Sequence, residues 1–393
     1  MRKQTNKKPM TLGLLMCFLL FLLLITGCQK RSDKDNASGD GTGQTDISSE
    51  LEYISEEPLS YAKELAIYNY KDDYRLVVIG SDRRYLVVPE AGEVPADLPA
   101  DVIVLQKPLT NTYLAATAVM DMICALDAED HLRFVSLRAS DWSVDKAAEK
   151  MRQGDILFGG KYSMPDYELL LSEHCSLAIE NTMILHAPKV IEQLNSFGIP
   201  VLIDRATYEE HPLGRVEWIK LYGILFDCSR EAEAIFREQE EAVLAAAHQQ
   251  DTAPRPKVAF FYISESGTVN IRNGNDYIPR MIELAGGEYL FQDLTDEESH
   301  RISIPLQMEV FYEKAKDADV LIYHDYTDKE MTSLRELLEK SEAMKNFKAV
   351  RDKNVWCVQN DLYQQPLTTG KVITDFQKIF YGDKDPEYLF LLE

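Results

Sequence analysis

Eight residues carry most of the chemistry this chain offers: Trp142, Lys161, Tyr162, Arg205, Arg272, Tyr277, Tyr326 and Tyr363. Arginine makes paired hydrogen bonds to carboxylate or catecholate oxygens, and aromatic rings cover a flat or bulky face. Such a set holds a ligand without making or breaking a bond. No GxSxG elbow, HExxH, Walker A or strand-linked GxGxxG occurs. His174, His186, His211, His300 and His324 show no close ligand spacing. No catalytic residue, metal site or cofactor is therefore expected.

The eight are selected by position. In doubly wound sheets, ligands sit beyond the carboxyl ends of the strands. From Thr112 onward the chain alternates short β-prone runs with helical ones: strands at Thr112–Ala116, Arg133–Leu137, Ile156–Phe158, Leu177–Ile179 and Val201–Ile203, with helices between them. That rhythm is the signature of parallel βαβ units. Strand ends then place Ala139–Trp142, Gly159–Ser163, Glu180–Thr182 and Arg205 on a ligand-facing edge. The alternation resumes with strands at Lys257–Tyr262, Val320–Tyr323 and Val355–Val358, and helices at Asp276–Ala285, Pro305–Ala315, Thr332–Lys340 and Val372–Tyr381. The second set of edges is Ser264–Tyr277, His324–Tyr326 and Asn360–Tyr363.

Between the two halves lies His211–Gln250, which reads as two helices with a break near Asp227-Cys228. Pro212 suits a first helical turn, and Ser229 suits an N-cap. Ala232, Ile235, Phe236, Val243 and Ala246 recur at helical spacing. From Ser229 to Gln250 the second helix spans about 33 Å at about 1.5 Å per residue. A helix that long between two α/β segments reads as a strut joining two lobes.

Upstream, Leu65–Tyr70, Arg75–Ile79, Tyr85–Val88 and Val102–Leu105 read as strands, with Gly80-Ser81-Asp82 turning the second into the third. They either extend the first sheet or form a small separate cap. Gln29–Glu50 is polar and nearly free of apolar residues, a flexible tether. The chain starts with Arg2, Lys3, Lys7 and Lys8, then an apolar run Leu12–Ile25 ending in Ile25-Thr26-Gly27-Cys28. Basic start, apolar run, small residues and Cys resemble the bacterial lipobox. That implies lipid on Cys28 and removal of residues 1–27. With those four basic residues gone, the formal net charge moves from −23 to −27. Such a surface repels phosphates and excludes nucleic acid as a partner. Cys124, Cys175, Cys228 and Cys357 lie far apart without a CxxC, so four small buried thiols are expected rather than a disulfide framework.

Three segments resemble the substrate-binding proteins of ABC importers for ferric siderophores, haem and cobalamin. They are Tyr162–Leu171 with Ser176–Ile179, Gly198–Asp204 with Pro212–Leu225, and Lys257–Phe261 with Leu284–Glu288. The resemblance runs from about Thr112 to Tyr381. It implies an α/β fold of two Rossmann-like lobes joined by one long backbone helix, with the ligand cleft between them. It also implies docking on an importer permease through one exposed Glu per lobe. The matching positions are Glu168 and Glu309, the latter weighed against its neighbour Glu313.

The expected organisation is a signal peptide (1–27), a tether (28–55), an N-terminal lobe (56–228), a connecting helix (229–252) and a C-terminal lobe (253–393). The expected function is a lipid-anchored receptor on the extracytoplasmic face of the bacterial cell membrane. It captures a metal chelate, ferric siderophore-like, and delivers it to an ABC importer. Haem or a corrinoid is the alternative cargo, and a surface-anchored two-lobed enzyme is the rival class.

Overall fold

The computed structural model describes residues 45–247, 254–296, 301–324, 331–383 and 385–393. Cys28 and Tyr326 lie outside them. The strands in chain order are β1 Tyr53–Glu56, β2 Leu65–Tyr70, β3 Arg75–Ile79, β4 Arg83–Val88, β5 Val102–Gln106, β6 Thr112–Leu114 and β7 Leu132–Val135. Then come β8 Leu157–Phe158, β9 Gly160–Lys161, β10 Met164–Pro165, β11 Ala178–Asn181 and β12 Val201–Asp204. The second half holds β13 Lys257–Ile263, β14 Val269–Arg272, β15 Glu288–Tyr289, β16 Ser303–Leu306, β17 Val320–His324, β18 Val355–Val358 and β19 Leu389–Leu391.

The first lobe is built on a sheet of order β12-β11-β6-β7-β8, parallel throughout. The second has order β16-β14-β13-β17-β18-β19, with β15 also on β13. Its centre, β13-β17-β18, is parallel, and β14, β16 and β19 run antiparallel to their neighbours. Helices cover these sheets, as parallel strands buried on both faces require.

Two expectations change here. The sequence pattern predicts a helix from Pro305 to Ala315. Pro305 lies instead on β16, opposite Asn270, and the helix is Met308–Ala315. β16 is an edge strand, where a missing N–H costs no ladder bond. The region His211–Gln250 holds three helices rather than two: Pro212–Glu217, Ile219–Leu225 and Ser229–Ala247, with the extra break at Trp218.

The long helix Ser229–Ala247 joins the lobes by packing on both. Ala232 and Phe236 enter the first lobe's core. Val243 and Ala246 enter the second lobe's core. Gly223 lets the preceding helix approach it, since a Cβ there would stand 2.6 Å from the Ala232 Cβ.

The upstream strands form their own five-stranded sheet, β1 to β5 in order, and do not extend the first lobe's sheet. The Arg75–Ile79 hairpin with β4 is present in the expected register region. Alternation along the strands gives this sheet two apolar faces. Ile67, Val77, Ile79, Tyr85 and Val87 join the first lobe's core, while Leu76, Val78, Leu86 and Val88 form a small outer cluster with Ile47. The Tyr85 hydroxyl donates to the Val201 carbonyl and accepts from the Ile203 N–H, sealing the open edge of β12.

Between β1 and β2 runs a strap. The backbone N–H groups of Ser60, Tyr61 and Ala62 donate to the Glu217 carboxylate at 2.8–2.9 Å. Those of Lys63 and Glu64 donate to Glu209 at 2.8 and 2.9 Å. Both carboxylates are buried, and burial pushes Glu209 above the usual carboxylate range despite its hydrogen bonds. Glu217→Ala would orphan three donors. Each costs about 1–3 kcal/mol when left without an acceptor. The expected outcome is a loss of about 3 kcal/mol or more in urea unfolding. A change below about 0.5 kcal/mol would show that the strap contributes nothing.

Candidate ligand cleft

The strap's second anchor starts one wall of a cavity of about 410 Å³. That wall is Thr207–Glu210, which follows β12, with Glu64 beside it. The opposite wall comes from the second lobe: Asn273, Asn275 and Asp276 after β14, then Asp296, Arg301 and Ile302. The volume suits a small ligand. Its lining is polar, and most of its charges are already paired. Arg205 meets Glu64 at 2.7 Å, and Lys63 meets Glu210 at 3.5 Å.

Beneath Asn273, Arg272 and Asp276 form a buried two-point ion pair, Nε–Oδ1 2.9 Å and Nη2–Oδ2 2.5 Å. Asp276 also caps the helix Tyr277–Leu284 by accepting from the Ile278 N–H. The Tyr277 ring lies 5.5 Å from the Arg272 guanidinium and 3.9 Å from that of Arg215. Tyr363 completes the cluster. Its hydroxyl is 3.5 Å from Arg272 Nη1, and its ring stands edge-on to His324 at 4.4 Å. Burial, with Arg272 close by, holds His324 down to about 3, so it is neutral at physiological pH.

A seam closes the other end. Gln364 Oε1 accepts from the Ser143 N–H at 2.9 Å, and its Nε2 donates to the Asp141 carbonyl. Gln365 Nε2 donates to the Ser143 carbonyl, and the Leu367 N–H donates to Asp121. Burial pushes the Asp121 carboxyl up to about 6. Trp142 stands beside this seam, buried, with its indole N–H unpaired.

The sequence profile of a family described as periplasmic binding protein matches residues 115–362, more than half of the chain. The chain belongs to that family. A possible iron-binding, periplasmic solute-binding protein from Staphylococcus epidermidis has a similar fold. The match has TM-score 0.54 and 16% identity, over 69% of this chain and 97% of that one. The periplasmic haem-binding protein HutB of Vibrio cholerae is similar with TM-score 0.55 and 18% identity, over 67% and 97%. An uncharacterized lipoprotein of Methanocaldococcus jannaschii is 24% identical over 96% of this chain and 94% of its own. The fold is thus that of two-lobed periplasmic binding proteins, whose work is solute binding.

Within this periplasmic binding protein, Arg272, Tyr277 and Tyr363 come together, and Trp142 reaches the interlobe seam. Arg205 does not face the cleft centre. It is drawn back onto Glu64 and the Tyr208 ring, and packs on Gly80 of the upstream hairpin, where φ is +62°. Lys161 is exposed on the small β9–β10 ribbon, and Tyr162 in its turn packs on a separate apolar cluster of the first lobe around Tyr113, Phe134 and Leu170. Glu168 is exposed on the helix Tyr167–Ser172, and Glu309 in the first turn of Met308–Ala315. Glu313 is engaged by Lys316 at 3.0 Å. Thr207, Arg215 and Asn273 were not anticipated. Arg215 was visible only as part of a helix face. Among the described residues no group of His, Cys, Asp and Glu could hold a metal ion.

Of the four cysteines among the described residues, Cys175 and Cys357 are buried, while Cys124 and Cys228 are half-buried, not buried as expected. Burial raises the Cys124 thiol to about 12 and the Cys175 and Cys228 thiols to about 11, which keeps them unreactive.

One buried group outside the cleft gives a pH signature. Glu180, on β11, is fully buried with neither carboxylate oxygen bonded, and burial pushes it up to about 8. The folded protein therefore holds a proton there that the unfolded chain releases near its ordinary value of 4.5. Stability falls as pH rises from about 4.5 to about 8. Glu180→Gln removes that term. Urea unfolding at pH 5 and pH 8 is expected to show the variant gaining on wild type at the higher pH. Parallel pH dependence in both proteins would refute the assignment.

Proposed function

We propose that this protein is an extracytoplasmic, lipid-anchored solute-binding protein that captures an iron complex of ferric-siderophore type and delivers it to an ABC importer. The observation that carries the reading is the polar cavity of about 410 Å³ between the two lobes, edged by Thr207–Glu210 after β12 and by Asn273, Asn275 and Asp276 after β14. Cys28 carries the lipid in this account, supported by the motif before it and by a relative named as a lipoprotein. Among the described residues no helix is long and apolar enough to cross a membrane. The proposed organisation is signal peptide, tether, two lobes and connecting helix, with the tether ending earlier than residue 55, because Ile47 and Ser48 are buried and β1 spans Tyr53–Glu56.

Haem or a corrinoid is the second reading, and haem is favoured by several structural neighbours that are haem-binding proteins. A macrocycle needs a broad apolar slot, and the cavity's polar lining favours a chelate with oxygen ligands. Titration of ferric hydroxamate, catecholate and carboxylate chelates, haem and cobinamide, followed by tryptophan fluorescence, tests both. Quenching by at least one ferric chelate is expected, with Trp142 as the responsive ring. Binding of haem alone would select the second reading, and no binding by any would sink the proposal.

Glu168 and Glu309 are proposed as the two permease contacts, because both are exposed in first turns of helices on different lobes. Charge truncation at a docking pair costs about 2 kcal/mol or more. Glu168→Ala is expected to weaken docking at least about tenfold and leave cargo affinity unchanged. Equal loss of both would contradict the role.

A further inference from the structure

Arg205 follows β12 directly, the position from which a strand-end cation would reach a bound ligand. Three contacts hold it back. Its Nε meets the Glu64 carboxylate at 2.7 Å, an ion contact rather than a directed hydrogen bond. Its guanidinium lies 5.0 Å from the Tyr208 ring and packs on Gly80, where a Cβ would stand 3.0 Å from it. The side chains of the pair are only 16% and 26% exposed, so salt screens it little. Glu64 is itself pinned, because its backbone N–H donates to Glu209 at 2.9 Å. Glu64 and Gly80 both precede residues 115–362, the part matched by the family profile. The withdrawn arginine is therefore a product of the upstream segment.

The consequence shows in the charges of the cleft. Its lining holds five carboxylates, on Glu64, Glu209, Glu210, Asp276 and Asp296, against one guanidinium, on Arg301. Arg205, Lys63 and Arg272 each meet one of those acids, Glu64, Glu210 and Asp276 respectively. Lining and partners together carry no positive excess, and Arg301 is exposed. Neutral groups complete the walls: Asn273, Asn275 and the Thr207 hydroxyl, which is buried with no partner. An anionic complex in this space would face carboxylates from both lobes with no buried, uncommitted cation to offset its lost hydration. Like charges brought together across an interface are strongly unfavourable.

We propose that Glu64 sets the cargo's charge class: by neutralising and withdrawing Arg205, it makes the cleft accept neutral or cationic ferric chelates and reject anionic ones. This is selectivity by repulsion of the wrong ligand rather than by added attraction for the right one. It rests on the proposed capture of an iron complex, and the test separates the two.

Isothermal titration of the full chain in detergent would use one ferric trihydroxamate with a pendant arm in three forms. The free amine is cationic, the N-acetylated form neutral and the N-succinylated form anionic. A ferric triscatecholate, more strongly anionic, is the fourth probe. Wild type is expected to bind the cationic and neutral forms, and the succinylated form at least about tenfold more weakly than the neutral one. Glu64→Gln leaves Arg205 uncompensated beside the cleft, and is expected to narrow that ratio to about threefold or less. Adding Arg205→Gln to Glu64→Gln is expected to restore the wild-type ratio, which a merely structural role for Glu64 would not do. Arg205→Gln alone, which leaves Glu64 unpaired, is expected to widen the ratio, and it serves if Glu64→Gln does not fold. Equal binding of the three trihydroxamate forms by wild type would overturn the proposal and leave iron-complex capture standing. So would an unchanged ratio in Glu64→Gln, or wild type binding the triscatecholate and no trihydroxamate. Binding of none of the four would overturn both.

Discussion

Two buried carboxylates, Glu209 and Glu217, hold five consecutive backbone N–H groups from residues 60 to 64. Taking a carboxylate out of water costs several kcal/mol unless donors replace the water. Here the strap supplies those donors, with Trp218 Nε1 adding one to Glu209 at 3.0 Å. The strap and the acids therefore stabilise each other, and neither is tolerable alone. Gly214 allows the close approach, since a Cβ there would stand 3.0 Å from the Tyr61 carbonyl oxygen.

What the strap fastens is the helix Pro212–Glu217, which sits between the lobes. Leu213 belongs to the second lobe's core and Val216 to the first. The same helix carries Arg215, whose guanidinium lies on the Tyr277 ring of the second lobe. Tyr61 extends the fastening to the long helix. Its ring stacks on His211 at 4.8 Å, and its hydroxyl donates to Glu240 at 2.8 Å. With the Gln364–Gln365 seam at the far end, the lobes are tied at both ends of the cleft. A wide hinge closure would have to break these bonds. The strap lies upstream of residues 115–362, so a segment outside the family profile fastens elements inside it.

The lobes, their strand rhythm and the long helix were legible because burial on two faces leaves a strong pattern in sequence. Ala232, Phe236, Val243 and Ala246 repeat on one side of a helix, and all four are buried. The β14–β16 pair was less legible. Val269–Arg272 and Ser303–Leu306 are short, and Pro305 looks like a helix start unless the strand's edge position is known. The cleft was legible as loops but not as side chains. Arg205 follows β12 immediately, as the strand-end rule requires, yet Glu64 and Gly80 draw it aside. Arg215 lies in a helix whose other residues are core, so no local pattern distinguished it. Both outcomes depend on distant contacts, Arg205 with Glu64 and Gly80 and Arg215 with Tyr277, which no local reading of residues 205–215 contains.

The central claim is that cargo sits between the lobes, against Thr207 and Asn273 and above the Arg272–Tyr277 cluster. Anomalous scattering at the iron edge, from crystals grown with a bound ferric chelate, locates the metal directly. The account predicts one iron peak inside the interlobe cavity, with the Glu209 and Glu217 strap bonds intact. A peak outside that cavity, or a strap released on binding, would contradict it.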